Sequence, residues 1–223
     1  MNKEHLFAFL KDQKSPALLR FLETAYDVMK TDQRYAVFDK ALTKIKPPPV
    51  RGRSLLKEVQ QFQRDSLAGK YYAPFDINSK NYRHIPEETH AWFERMGDLL
   101  AESVRLSQQG DHVQAVACFR ILYQLVETME SGAEIVFADE YGDWMIPGEP
   151  KQRITAYLTS LAATATPEDY AAAALPLIRD DSIKSFSNKT YNTAIRAANK
   201  AQKAHLKSEV QRLEIPTKPK SRT

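Results

Sequence analysis

The chain of 223 residues has one cysteine, Cys118, and only seven glycines. A single cysteine excludes an internal disulfide and a cysteine-rich zinc site. So few glycines disfavour a fold built from tight β-hairpins, because hairpin turns require positive φ. No stretch reaches the roughly 18 uncharged apolar residues of a membrane helix, and residues 1–14 lack the apolar run of a signal peptide. We therefore expect a cytoplasmic protein that has no membrane partner.

Catalytic motifs are also lacking. The sequence contains no glycine-rich phosphate loop, no GxSxG nucleophile elbow and no GxGxxG dinucleotide motif. None of the five histidines belongs to an HExxH motif or to an i, i+4 pair. We therefore expect a protein without enzymatic activity, and we expect no cofactor and no bound metal.

Apolar residues recur at the three- and four-residue steps of a helix, and most of the 12 prolines stand where these periods stop. The pattern predicts an all-α protein of about nine to eleven helices, packed as antiparallel pairs in an α-α superhelix. We expect one helical domain over residues 1–213. It can be subdivided into residues 1–67 and 86–213, joined by an aromatic loop at 68–85. The basic tail at 214–223 is expected to be disordered.

Residues 112–130 are apolar around most of their circumference, which predicts the central helix of the fold. Phe119 and Leu122 should lie in its core, and Gly110-Asp111 should form the turn before it. Further helices are predicted over residues 31–45, 133–141 and 189–213.

Pro176 interrupts the apolar pattern that Pro167 begins. Because proline removes a backbone donor, this helix is expected to end at or just after Pro176.

Charge is distributed unevenly along the chain. The net charge is +5 over residues 39–70, −10 over residues 86–150 and +6 over residues 196–223. Such segments can neutralise each other within the fold, or they can present separate charged surfaces to partners.

The segment Leu99–Glu127 resembles a tetratricopeptide-type helix pair. The residues that carry this resemblance are a turn and three packing positions: Gly110-Asp111, Ser103, Ala115 and Phe119. No second copy is present at a 34-residue period.

A longer stretch, residues 55–181, resembles the α-helical region of bacterial proteins that also carry a SWIM-type zinc finger. The matching features are Phe62 with Arg64, Gly110-Asp111, Val113–Glu130, the acidic run Glu130–Asp143, Ile154–Leu161 and Pro167-Glu168. The resemblance implies a tetratricopeptide-like helical array. It implies no zinc finger, since that module needs more cysteines than Cys118. It also supplies no catalytic residues.

The aromatic loop contains the first set of candidate binding residues. Rings and cations alternate there, a composition that suits stacking on single-stranded nucleic acid but equally suits a loop folded onto the helices. The candidates are Lys70, Tyr71, Tyr72, Phe75, Tyr82 and Arg83, together with Arg51 and Arg53 from the basic segment before the loop.

The acidic middle of the chain supplies the second set. Dense carboxylates can form a solvated rim, a docking surface for a basic partner or a divalent-cation site, although the spacing does not match an EF-hand. The candidates are Glu130, Glu134, Asp139, Glu140, Asp143 and the neighbouring Trp144. Glu130 and Glu134 share a helical face only if the helix continues through Gly132.

These features predict a protein-binding or scaffold protein that holds a segment of another protein or peptide in a groove between helix pairs. The alternative is a nucleic-acid-binding protein that uses residues 39–70, the loop 70–85 and the basic C-terminus. A hydrolase built on the acidic residues is a third hypothesis. Cys118 lies in the most apolar helix, where a buried apolar role is expected rather than a reactive thiolate.

Overall fold

The computed structural model describes residues 3–30, 33–34, 37–38, 49–137, 142–184 and 189–217. Within these ranges the chain forms nine α-helices and one short 3-10 helix, Asp143–Met145, and it has no strand. The α-helices are α1 (Lys3–Lys11), α2 (Ser15–Val28), α3 (Gly52–Leu67), α4 (Glu87–Gln108), α5 (His112–Glu130), α6 (Pro150–Thr164), α7 (Pro167–Lys184), α8 (Lys189–Ala197) and α9 (Lys200–Arg212). The predicted all-α class is confirmed. The helix predicted over residues 31–45 lies almost wholly outside the described residues.

The chain divides between Pro48 and Pro49, within the proline run, into two compact units. In the first unit, Pro16 occupies the first turn of α2, where its missing N–H costs no hydrogen bond. The rings of Phe9 in α1 and Phe21 in α2 meet edge to face, with centroids 6.1 Å apart. Neither helix contains a buried residue.

In the second unit, neighbouring helices pack in series and form the helical array expected from the sequence. Helices α4 and α5 form a hairpin, and α3 and α6 each contact both of its members. Helix α6 also contacts α7 and α8, while α7 contacts α8 and α9. One hydrophobic core therefore continues from Leu55 in α3 to Val210 in α9.

The turn predicted at Gly110-Asp111 joins α4 to α5. Gly110 has φ +85°, a conformation that glycine adopts without steric cost. The Asp111 side chain then accepts a hydrogen bond from the Gln114 N–H and caps α5. Phe119 and Leu122 are fully buried in α5, as predicted.

Helix α4 is buried more extensively than α5, which the sequence indicated as the central helix. Eleven residues of α4 are buried against seven of α5. Trp92 is packed and hydrogen-bonded within this interior. Its ring centroid lies 5.8 Å from that of Phe62, and its Nε1 donates to Ser66 Oγ at 2.9 Å. The reason for the difference is that the connection between α5 and α6 covers α4 as well.

The predicted helix at 133–141 is wrong over its described part, residues 133–137, which form turns. Helix α5 ends because Gly132 takes φ +85° and the Ala133 N–H bonds back to the Thr128 carbonyl. The connection then runs beside α4, where the Phe137 carbonyl accepts a hydrogen bond from Thr89 Oγ1 at 2.7 Å.

Pro176 does not end its helix, contrary to the prediction, since α7 continues to Lys184. Pro176 has no N–H to donate to the Ala172 carbonyl. Ala172 and Pro176 are both exposed, so water can donate a hydrogen bond to that carbonyl instead. On the opposite face, the buried residues Ala174 and Ile178 hold the helix in place.

The last predicted helix, 189–213, is in fact two helices, α8 and α9. The side chain of Asn199 accepts from the Gln202 N–H, and the Gln202 side chain accepts from the Asn199 N–H, which forms a capping box that starts α9. Gln202 Nε2 also donates to the carbonyls of Ala162 and Ala165, which fixes the start of α9 against the end of α6.

The tail predicted to be disordered begins in ordered structure. The Ile215 N–H bonds to the Val210 carbonyl, and Ile215 is buried against the core. Residues 218–223 lie outside the described residues. Along the ranges that are described, no helix combines the length and apolar character needed to cross a membrane.

The connection between α5 and α6 approaches the α4 backbone at Gly97. A Cβ atom at this position would lie 2.9 Å from Pro147 Cδ and 3.1 Å from Pro147 O. The missing side chain therefore permits the contact that closes the core over α4.

We predict that Gly97→Ala lowers the free energy of unfolding by about 1–3 kcal/mol, because Pro147 and its backbone must shift. Helix propensity alone predicts the opposite sign, a gain approaching about 1 kcal/mol. The control is Ala101→Gly at an exposed position of the same helix, which measures the propensity effect without the contact. Urea denaturation of both variants tests this, and a stabilised Gly97→Ala variant would show that the close approach is wrong.

Candidate functional site

Three aromatic candidates in the loop after α3 pack against other residues of the second unit. The Tyr71 ring lies 5.6 Å from that of Phe62 in α3. The rings of Tyr72 and Phe75 lie 6.1 Å and 5.0 Å from that of Phe137 in the connection between α5 and α6. These three rings are half-buried and serve packing, which leaves less of the loop for stacking on a ligand.

The distal part of the loop remains exposed. Tyr82 is 59% exposed, and the Arg83 guanidinium lies 5.2 Å from the centre of its ring. Lys70 donates to Asp65 Oδ2 at 2.8 Å, a hydrogen bond that lowers the pKa of the Asp65 carboxyl. The contacts of the exposed candidates therefore pair Arg83 with Tyr82, and Lys70 with Asp65.

Arg51 and Arg53 are exposed at the start of α3. Between them Gly52 is buried, and a Cβ there would meet the carboxylate of Asp111 and the side chain of Gln114. This close approach sets the start of α3 against the start of α5. The rest of the basic segment before Pro49, residues 39–48, lies outside the described residues.

The acidic candidates do not share a helical face, because α5 ends at Glu130 before Gly132. Glu130, Glu134 and Asp143 are exposed, whereas Asp139 and Glu140 lie outside the described residues. Trp144 is 73% exposed next to Asp143. Over the described ranges, no three His, Cys, Asp or Glu side chains come close enough together to hold a metal ion.

An open groove of about 480 Å³ lies between α4 and the start of α6. Its surface is mostly apolar. It is lined by Val104, Ser107, Gln108, Glu149, Lys151, Gln152, Thr155, Ala156 and Thr159. Its volume is within the range of small-ligand pockets, enough for one or two side chains of a bound segment.

A chain of hydrogen bonds runs beneath this groove. Ser107 Oγ donates to the Ala156 carbonyl at 3.0 Å, and Ser160 Oγ donates to Ser107 Oγ at 2.8 Å. Since both hydroxyl protons are thereby used, His112 Nδ1, 3.1 Å from Ser160 Oγ, must donate to it. Ser160 is fully buried, so this serine–histidine pair fixes the contact between helices and does not present a nucleophile.

Arg153 was not among the residues that the sequence singled out, yet it is buried in α6. The signal is present in the sequence, because Arg153, Tyr157 and Leu161 follow each other at i, i+4 and i+8. This spacing places the arginine on the same helical face as two core residues. A charged residue on a buried helical face is a candidate for a role beyond packing.

The helices of the first unit display apolar side chains at their surface. Eight large apolar residues of α1 and α2 are exposed: Leu6, Phe7, Phe9, Leu19, Phe21, Leu22, Tyr26 and Val28. Leu19, Leu22 and Tyr26 follow each other at i, i+3 and i+7, the spacing of one helical stripe.

Cys118 is buried, as expected, and burial raises the pKa of its thiol to about 11.

We predict that the folded protein resists Ellman's reagent at about pH 8, where the thiol is neutral, and that unfolding releases one reactive thiol. Because the folded-state pKa exceeds the ordinary value of 9.0, the stability from the neutral thiol is complete below that pH and is lost as the pH rises through about 11. Complete labelling of the folded protein within minutes would contradict the buried position.

Comparison with family models, with curated proteins and with solved structures gives no match to this chain. The resemblance to the helical region of the SWIM-associated bacterial proteins therefore stays an expectation from the sequence.

Proposed function

We propose that this chain is a binding or scaffold protein without catalytic activity, and that α1 and α2 bind an apolar surface of another protein. The observation that carries the proposal is the exposure of apolar residues along both helices while neither helix buries any residue. Scattered exposed apolar residues are normal, but a contiguous set on neighbouring helices is typical of interaction sites.

The stripe of Leu19, Leu22 and Tyr26 is the centre of the proposed contact. Leu19 is 66% exposed, so covering it with a partner removes most of its surface from water. An amphipathic helix of this kind binds through side chains at i, i+3 and i+7. The groove between α4 and α6 gives the second unit a separate place for a partner segment.

The test is co-purification from the native host, followed by mass spectrometry, with two matched variants. Leu19→Lys places a charge in the proposed contact, whereas Val113→Lys changes a side chain in α5 that is also 66% exposed. We expect Leu19→Lys to reduce recovery of a specific partner by about tenfold or more, the effect of losing a hot-spot residue. Val113→Lys should recover the partner like the parent.

A partner retained by Leu19→Lys would contradict the assignment of α1 and α2. Equal loss with both variants would indicate nonspecific adhesion rather than a binding surface. Circular dichroism of both variants establishes that they are folded before the comparison.

A second candidate function, nucleic-acid binding, is favoured by the exposed Tyr82–Arg83 pair. A ring and a guanidinium at 5.2 Å offer a stacking surface and a phosphate contact side by side. The packed positions of Tyr71, Tyr72 and Phe75 reduce the surface on which this proposal depends.

For this candidate we predict that Tyr82→Ala weakens binding to single-stranded RNA or DNA by about 1–3 kcal/mol, the usual contribution of one stacked base. Tyr26→Ala is the matched control, because Arg34 lies over the ring of Tyr26 at 4.6 Å. Gel shifts at several salt concentrations measure the effect, and binding should weaken steeply as salt rises. The absence of any complex at low salt would remove this function.

A further inference from the structure

The last two helices contain a long segment without acidic residues. From Lys189 to Ser208 the chain has four lysines and one arginine but no aspartate or glutamate. Three of these lysines belong to α9 and stand at i, i+3 and i+7, so they follow one another along one side of that helix. They are Lys200, Lys203 and Lys207, here called the lysine row.

The lysine row lies beside the buried face of α9 and opens to solvent. Leu206 and Val210 are buried where α9 packs against α7. Lys200 and Lys207 are exposed, and Lys203 is half-buried. A lysine at the edge of a packed face covers apolar surface with its stem and keeps its ammonium group in water. The three charges are therefore accessible along one edge of the helix.

The lysine row is not neutralised within the described part of the chain. None of its three ammonium groups forms an ion pair with a described residue. The acidic residue of α9 is Glu209, and it is bound by Arg212, whose Nη2 donates to Glu209 Oε2 at 2.6 Å. Like charges at neighbouring positions of a helix surface repel each other. The row thus opposes the stability of α9 in the free protein and favours an anion that lies along it.

The residues around the row fit a phosphate backbone better than a protein or a membrane. The other exposed positions beside it are small or polar: Ala201, Ala204, Ser208 and Gln211. A protein contact needs a large apolar or aromatic anchor, and a helix on a membrane surface needs exposed apolar side chains. Helix α9 has neither among its exposed residues. Attraction to phosphates, by contrast, depends on charge.

The length of the row also matches a repeating anion. At a rise of about 1.5 Å per residue, Lys200 and Lys207 are about 10 Å apart along the axis of α9. One strand of a DNA duplex carries about three phosphates over this length. Lysine is a point charge on a flexible stem, so it can contact successive phosphates without the fixed geometry that arginine imposes.

We propose that the lysine row of α9 binds the phosphate backbone of a nucleic acid without reading its base sequence. Phosphate contacts position a protein on a nucleic acid but carry no direct sequence information. The proposal rests on the second candidate function, nucleic-acid binding, and assigns it a surface other than the Tyr82–Arg83 pair. It does not depend on the contact proposed for α1 and α2.

The test is fluorescence anisotropy of the full chain with labelled nucleic acids, titrated between about 50 and 200 mM salt. The probes are two short DNA duplexes of different base sequence and one RNA single strand. The test variant carries Lys200→Gln, Lys203→Gln and Lys207→Gln. We expect its affinity to fall at least about tenfold at the lowest salt concentration. The slope of log K against log salt concentration should become shallower by about three, one for each lost phosphate contact.

Two further variants test whether the effect belongs to the row. The first carries Lys11→Gln, Lys57→Gln and Lys151→Gln, which removes the same net charge from exposed positions of α1, α3 and α6, and it should bind nearly like the parent. The second replaces the three lysines of the row by arginine, which keeps the charge and should retain the affinity and the salt slope.

Urea denaturation establishes that the variants are folded. The glutamine variant of the row should be at least as stable as the parent, because the like charges of α9 no longer repel each other and glutamine is as good a helix former as lysine. Loss of binding in this variant is then loss of a contact and not of the fold.

Binding of the duplexes alone identifies a double-stranded partner, binding of the RNA alone a single-stranded one, and binding of all probes the shared phosphate chemistry. Equal loss of affinity in the row variant and in its glutamine control would overturn the proposal. A preference between the two duplexes would contradict binding through phosphates alone. Unlabelled polyglutamate that competes as well as unlabelled nucleic acid would indicate an acidic protein as the partner instead.

This inference can fail separately from the function on which it rests. If Tyr82→Ala weakens binding and the row variant does not, the nucleic acid lies on the loop, and the assignment to α9 is wrong. If no probe binds the parent at low salt, nucleic-acid binding as a whole is wrong, and this inference with it.

Discussion

Helix α4 can be buried along its length because the connection between α5 and α6 approaches it at a residue without a side chain. Gly97 admits Pro147 to within van der Waals distance of the helix backbone. Gly52 allows the start of α3 the same close approach to Asp111. With α3, α5, α6 and this connection around it, α4 places Trp92 and its neighbours out of contact with water. In the rest of the array, α7 and α8 pack against α6, and α9 packs against α7.

Periodicity and caps were sufficient to predict the helices of the second unit where the signal is local. The turn at Gly110 and the burial of Phe119 follow from a positive-φ glycine and an apolar helix. The errors arise where tertiary contacts decide. Pro176 is tolerated at an exposed position, where water can donate to the Ala172 carbonyl that it leaves without an N–H partner, and the break before α9 depends on Gln202, whose side-chain amide also bonds to α6.

The candidate residues were harder to predict, because composition does not tell a packed ring from an exposed one. Tyr72 and Phe75 lie against Phe137, a contact between segments far apart in the sequence, while Tyr82 in the same loop stays exposed. Arg153 was overlooked because a single charge in a helix usually faces solvent. Its helical spacing with Tyr157 was the available signal in the sequence, and the structure shows that both residues are buried.

The second unit has a core built around α4, whereas α1 and α2, the helices described in the first unit, bury no residue. Hydrogen exchange of the isolated chain, followed by mass spectrometry of peptides, tests this claim most directly. We expect peptides from α4 and α5 to exchange only through global unfolding, whose free energy is about 5–15 kcal/mol for a domain. Peptides from α1 and α2 should exchange orders of magnitude faster. Equal protection of α1, α2 and α4 in the isolated chain would contradict it.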